Sequence, residues 1–272
     1  MTKYMHISVT EERAALETQV HLSRSNLPFS EEVKKIELEI EKDPENTELW
    51  IKKGIALSKQ MLFREAIEAY STGLTFNPFH ALAYRHRGHR LISIRRFHEA
   101  SLDLELSSRL DPTNWDTWYH LGLAYYLLED YKRAEKAYRR CLEITNSDDK
   151  IVAIVDWYWM TLMHLGKKEE AAKLLDLVSE DTDPGENLSY KKRVLMYKGI
   201  IKPENLIEYE GAEFPDLELA TQGYGVANFY LLMGAEGKAE ALFDKILKHN
   251  SFWSSFGYLA SVVAKAKEKK GK

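Results

Sequence analysis

Three stretches of this chain repeat one another at a spacing of 34 residues. Trp50, Tyr84 and Trp118 stand one period apart, as do Gly54, Gly88 and Gly122. Ala66, Ala100 and Ala134 keep the same interval, and so do Tyr70, Leu104 and Tyr138. A fixed period of this length means that one supersecondary unit is stacked on copies of itself, each burying its apolar face against the next. Such stacks present surfaces to partners, and that is the first constraint on function.

Each copy reads as two helices joined by a short break. In the first, residues 50–57 and 64–74 carry apolar side chains at helical spacing, and Asn77-Pro78 ends the second run. Pro112 repeats that stop, and Asn146 holds the place in the third copy. A glycine inside a helix costs about 1 kcal/mol relative to alanine. Its recurrence at Gly54, Gly88 and Gly122 therefore predicts a close approach of two helices, with Ala66, Ala100 and Ala134 as the facing residues. The aromatics Trp50, Tyr84 and Trp118 are expected to fill the space between units.

The pattern resembles the tetratricopeptide repeat (TPR) family. The third copy carries it best, with Trp118, Leu121, Gly122, Tyr125, Ala134, Tyr138 and Cys141. Lys53 and Arg87 stand in the first two copies where the family has leucine. The resemblance implies an all-α, right-handed superhelical solenoid of TPR and TPR-like hairpins, whose concave groove holds a protein or peptide. Beyond residue 146 the match weakens: residues 166–171 and 234–239 look like turns of later units, with about three residues inserted near Asn146. Residues 187–209 read as an irregular hairpin broken at Gly199 and Pro203, and 253–266 as a closing helix with Trp253, Phe256, Leu259 and Val263 on one side. The order of these elements is similar to bacterial periplasmic TPR lipoproteins of the NlpI type. The expected organisation is one continuous solenoid: capping helices over 1–46, three TPR units over 47–146, and degenerate hairpins with a C-terminal capping helix over 147–272. Thr10 and Ser30 are the expected N-caps of the two N-terminal helices, the second with an apolar face of Val33, Ile36, Leu38 and Ile40.

Net charge is −4 with an isoelectric point near 6.2, which excludes a globally basic surface for nucleic acid. The single Cys141 excludes an internal disulfide and reads as a packed thiol. No run approaches the ~20 apolar residues of a membrane helix, and no leader-like stretch opens the chain, so a cytoplasmic location is expected. No phosphate-binding glycine motif or nucleophile elbow is present, and no cofactor is expected.

The register of the resemblance places Arg85 and His89 of the second copy, Tyr119 and Tyr126 of the third, Asp156 of a fourth, and Tyr224 and Asn228 of a last unit along the groove. Trp157, in the run Trp157-Tyr158-Trp159, is expected to reach it too. Five of the seven residues from Tyr84 to Arg90 can carry positive charge, and His86 and His120 are one period apart. Three readings stay open. Arg87 meets Asp103 or Glu105 and the run is structural; or Arg85 and His89 form an anion patch for a carboxylate or acidic peptide; or His86, His89, His120 and Asp156 hold a metal. The family's carboxylate clamp needs lysine and asparagine where Ile51 and Ile55 stand, so that function is not expected. Gly223 and Gly225 are expected to permit close helix packing. The leading expectation is a non-catalytic protein- or peptide-binding adaptor; the alternative is a small-anion pocket or metal-dependent enzyme built on the histidine and arginine cluster.

Overall fold

The computed structural model describes residues 27–209 and 212–271, with side chains to residue 266. Among these residues every regular element is a helix. The expected first N-terminal helix, with Thr10, lies outside the described residues. The chain divides into two compact units, 1–124 and 125–272, and the division falls inside a helix.

The first unit contains α1 (Glu31–Lys42), α2 (Thr47–Lys59), α3 (Phe63–Phe76), α4 (Ala81–Ser93), α5 (Phe97–Leu110) and most of α6 (Trp115–Leu127). Their starts are set by repeated caps. Ser30 accepts from the Val33 amide at 3.3 Å, as the sequence predicts. One period apart, Asn46, His80 and Asn114 accept amide hydrogens of α2, α4 and α6 at 3.1, 3.2 and 3.0 Å. Because Nδ1 of His80 accepts, its Nε2 donates to Glu48, 2.8 Å away. The repeated tryptophans tie each unit to the preceding proline loop: Trp50 donates to the Pro44 carbonyl at 2.8 Å and Trp118 to that of Pro112 at 2.9 Å. Tyr84, between them, has no such donor.

The close approach at the glycines is real, but its partner differs from expectation. A Cβ on Gly54 would sit 2.3 Å from the Tyr70 ring, and one on Gly88 would sit 2.7 Å from Leu104 Cγ. The large side chain one turn beyond the alanine therefore occupies the space, while Ala66 and Ala100 are simply buried beside it. Val33 and Ile40 of α1 are buried as predicted, but Leu38 is 57% exposed and off the packed face.

The second unit begins with the end of α6 and contains α7 (Tyr131–Glu143), α8 (Asp148–His164), α9 (Lys168–Leu175) and α10 (Leu188–Tyr197). A 3-10 turn (Pro203–Leu206) and the short α11 (Pro215–Glu218) follow. A π turn over Leu219–Gly223 then runs straight into α12 (Tyr224–Leu232), α13 (Glu236–Lys248) and α14 (Phe256–Gly271). The residues inserted near Asn146 lengthen α8 to 17 residues, against 13 in α7. The closing helix starts three residues later than expected, and Trp253 and Phe256 are only half-buried. Gly257 lets α14 touch the π turn, since a Cβ there would lie 1.9 Å from the Ala220 carbonyl oxygen.

One turn recurs throughout. Met61, Arg95 and Glu129, one period apart, have φ of 59, 65 and 60°, and Gly166, Gly199 and Gly234 have 74, 76 and 77°. At each, the next amide bonds the carbonyl five residues back: Leu62 to Leu57, Arg96 to Leu91, Asp130 to Tyr125, Lys167 to Leu162, Ile200 to Leu195 and Ala235 to Tyr230. This pair of a left-handed residue and a six-to-one hydrogen bond ends a helix and reverses the chain. A side chain in the left-handed region costs about 1–2 kcal/mol. Gly166→Ala is therefore expected to lower stability by about 1 kcal/mol, and Met61→Gly to raise it by up to about 1 kcal/mol. Chemical denaturation of the two variants gives the opposite signs directly; equal shifts of one sign would refute the account.

Candidate functional site

In the first unit the basic run of α4 is largely engaged with its neighbours. Arg87 grips Asp103 through two hydrogen bonds of 2.7 and 2.8 Å and donates to Ser71 at 3.0 Å. The structural reading of this residue, with Asp103 as its partner, is thus the one found. Arg85 pairs with Asp116 at 3.0 Å and donates to His86 Nδ1 at 3.0 Å. Its Nε is buried without a hydrogen-bond partner. Arg90 packs over the Phe63 ring, 4.8 Å from its centroid, rather than standing in solvent.

The histidines are packed and neutral. His86 stacks on Tyr70 at 5.6 Å, and the rings of His89 and His120 lie 4.1 Å apart. Tyr119 stacks on Trp115 at 4.9 Å and meets His120 edge-on. His120 Nδ1 donates to the Asp116 carbonyl at 2.6 Å. Burial, reinforced by Arg85, pushes His86 down to about 4 and His120 down to about 3. Burial and the neighbouring His120 hold His89 well below its ordinary value. Among the described residues no three histidine, cysteine, aspartate or glutamate side chains converge to hold a metal.

A different centre forms in the second unit. A cavity of about 560 Å³ is lined by residues from α6, α7, α8, α12, α13 and α14. Its polar wall is a connected network. The hydroxyls of Tyr126 and Tyr224 are 2.7 Å apart, and His164 Nε2 lies 3.3 Å from Tyr126 Oη and 3.0 Å from Asn228 Oδ1. An amide oxygen only accepts, so His164 Nε2 carries the hydrogen given to Asn228. Tyr131 stacks flat on His164 at 4.4 Å. Leu231, Phe243, Ala260 and Val263 supply apolar lining. The Asn228 side-chain nitrogen is buried and has no partner, although the residue is only 2% exposed. Burial holds the hydroxyls of Tyr126 and Tyr224 well above the ordinary tyrosine range.

Behind that wall lies a fully buried ion pair. Arg193 Nη2 is 2.9 Å from Asp156 Oδ2, and both side chains are 0% exposed. Tyr197 donates to Asp156 Oδ1 at 3.1 Å, and Arg193 donates to the Thr221 carbonyl at 3.1 Å. The rings of Trp157, Tyr190 and Tyr224 surround the guanidinium at 5.3–5.7 Å. Burial raises the Asp156 carboxyl to about 6 against the pull of Arg193. Gly225 is glycine for this reason: a Cβ there would sit 2.2 Å from Arg193 Nε.

The TPR model matches residues 115–145. The chain carries a tetratricopeptide repeat. It is 29% identical over 138 residues to the tetratricopeptide repeat-containing protein trd-1 of Caenorhabditis elegans, a stretch covering 50% of this chain and 16% of that protein. It is 28% identical over 100 residues to the heat-shock protein cognate co-chaperone sgt12 of Aspergillus fumigatus, covering 37% of this chain and 29% of that protein. The matches thus span less than a third of either curated relative. Among solved structures, a tetratricopeptide repeat protein from Parabacteroides merdae superposes with a TM-score of 0.55 at 15% identity, over 85% of this chain and 91% of that one. YrrB, described as a TPR protein with an unusual peptide-binding site, gives 0.51 at 18% identity, over 87% and 99%. These structural likenesses carry the fold alone.

Of the groove positions taken from the repeat register, Tyr126, Tyr224 and Asn228 meet at the second-unit cavity. Arg85, His86, His89, Tyr119 and His120 form the packed cluster of the first unit. Asp156 and Trp157 do not reach a groove: both are fully buried, the first bound to Arg193 and the second stacked behind Tyr224. Nor is Asp156 available as a metal ligand while Arg193 holds it. His164 and Arg193 were not singled out from the sequence. The residues inserted near Asn146 shift the repeat register there, so it gives no signal at His164.

Two outcomes follow from these pairings. A histidine whose folded pKa is depressed leaves the unfolded chain to take up protons first as pH falls. The stabilising contribution of His86 is therefore intact above 6.5 and is lost on the way to about 4. Between about pH 7 and 5 this withdraws about 2 kcal/mol. His86→Phe, which keeps a ring on Tyr70, is expected to flatten the loss of stability over that interval in urea titrations, and an unchanged slope would count against the assignment. Asp156→Asn leaves the Arg193 charge buried without compensation and is expected to cost about 3–5 kcal/mol. Joint replacement by Asp156→Leu and Arg193→Met should recover part of that loss, measured by the same titration.

Proposed function

We infer that this chain is a non-catalytic binding module for a peptide or a protein segment. The observation that carries the reading is the second-unit cavity. It is apolar over much of its lining, of a size typical of ligand sites, and has a few convergent polar groups. Three of its lining residues, Tyr126, Tyr224 and Asn228, stand at the positions where the repeat register places partner contacts. The co-chaperone description of sgt12 supports the same class of activity. Tyrosine walls supply large contact area at low entropic cost, which suits a module that recognises chain rather than transforms it.

The first-unit cluster, built on Arg85 and His89, gives less support to an acidic partner. Arg85 and Arg87 are paired with Asp116 and Asp103, and the three histidines are neutral at pH 7.

The test is selection of random peptides by display on the full chain, followed by affinity measurement of the enriched sequences. Ala260→Trp, which fills the cavity, is expected to weaken every enriched peptide at least tenfold while the helical circular dichroism is retained. Enriched peptides that bind this variant unchanged would place recognition elsewhere. Failure to enrich any peptide would overturn the binding reading.

A further inference from the structure

The second-unit cavity has a frame of rings. Tyr131 and His164 stack at 4.4 Å with planes 4° apart. The Tyr126 ring stands edge-on to both, at 5.4 Å and 70° to the first and 5.8 Å and 67° to the second. Tyr224 continues the series: its hydroxyl lies 2.7 Å from that of Tyr126, and its ring is 6.2 Å from that of Phe243. All five rings belong to the lining. The hydrogen bonds that join Tyr126, Tyr224, His164 and Asn228 fix three of these rings, so the space does not close by rotation of a side chain. The part of the lining left open is of the same apolar kind. Tyr131 and His164 are half-buried, and Leu231 of α12 is 38% exposed. The carboxylates do not set the character of the cavity. Lys265 bonds Glu240 at 3.3 Å, Glu236 stands exposed on the first turn of α13, and Glu129 is not without a partner. The Arg193 charge is paired with Asp156.

We propose that this cavity receives an aromatic side chain of the bound peptide. This names the residue class that the peptide-binding reading leaves open, and it rests on that reading. Two features select a ring over other side chains. An aromatic ring has a negative face and a positive edge, so a ring placed among others gains edge-to-face and offset contacts that an aliphatic group of equal size lacks. Tyr126, Tyr131 and His164 already meet one another in edge-on and stacked geometries. Leu231, Ala260 and Val263 complete the wall with apolar surface, against which a charged head would give up its water. A large flat side chain buries more of such a wall than a thin one and does so with few rotatable bonds.

The experiment titrates the full chain with the N-acetyl amides of phenylalanine, cyclohexylalanine, lysine and glutamate. The carbon-13 methyl resonances of Leu231, Ala260 and Val263 report on the cavity. The phenylalanine amide is expected to shift them and to bind about fivefold tighter than the cyclohexylalanine amide, which has the same size without the ring electrons. The lysine and glutamate amides should bind about tenfold more weakly or worse. The order should not change as salt rises, because no exposed charge carries it. Tyr131→Leu removes one ring of the stack and should reduce the preference for phenylalanine over cyclohexylalanine to less than about twofold, whereas Tyr131→Phe should keep it. Equal binding of the phenylalanine and cyclohexylalanine amides, tighter binding of either charged amide, or no shift of these methyls by any of them overturns the proposal. If display-selected peptides still lose affinity on Ala260→Trp in that case, peptide binding stands and only the aromatic preference falls. If display enriches no peptide, both readings fall together.

Discussion

Among the described residues six helices of this protein end on the same local device, a left-handed residue followed by a six-to-one hydrogen bond. It decides where the first helix stops and sends the second back beside it. The apolar faces can then meet only where the glycine of one helix accepts the large side chain of the other, as Gly54 accepts Tyr70. Without the reversal there is no pair of helices to pack, and without the pair no unit to stack. The device tolerates cost: methionine, arginine and glutamate hold the left-handed position in the first three turns, while glycine holds it in the later ones. The hydrogen bonds are the same in both groups, so tertiary packing offsets the strain where glycine is absent.

The fold was legible because its signal is periodic and its contacts are local. Trp50, Gly54, Ala66 and Tyr70 recur in register, and the elements appear where that register puts them. The second unit was less legible for physical reasons. The extension of α8 breaks the count that would carry positions forward, and the π turn over Leu219–Gly223 inserts one more residue into the helix ladder. Tyr126, Tyr224 and Asn228, which the register places along the groove, do come together in the second unit, where the turns at Glu129 and Gly234 are intact. Arg193 was not legible, because it sits in the polar run Tyr190-Lys191-Lys192-Arg193, which reads as a solvated face. Only the structure shows that one of those cations is turned inward onto Asp156.

That buried pair reaches the cavity through a single ring. Tyr224 packs one face toward the Arg193 guanidinium and extends its hydroxyl to Tyr126, and the network continues to His164 and Asn228. An ion pair taken out of water brings little net stability against an apolar substitute. What it brings here is position. Trp157, Tyr190, Tyr197 and Tyr224 are all oriented on one charge, so the wall of the cavity has one arrangement rather than several. The glycine at 225 and the π turn are the backbone's accommodation of that arginine.

The same arrangement keeps the buried arginine from giving the cavity a positive wall. The Arg193 charge is answered within hydrogen-bond distance by Asp156 and is enclosed by aromatic rings, so little of its field is directed to the open side. Of the glutamates of α13, Glu240 is bonded by Lys265 at 3.3 Å, and Glu236 lies exposed on the first turn. The ring of Tyr224 stands between the buried Arg193 charge and the cavity. The positive charge is thus buried and neutralised where it builds the wall of the cavity.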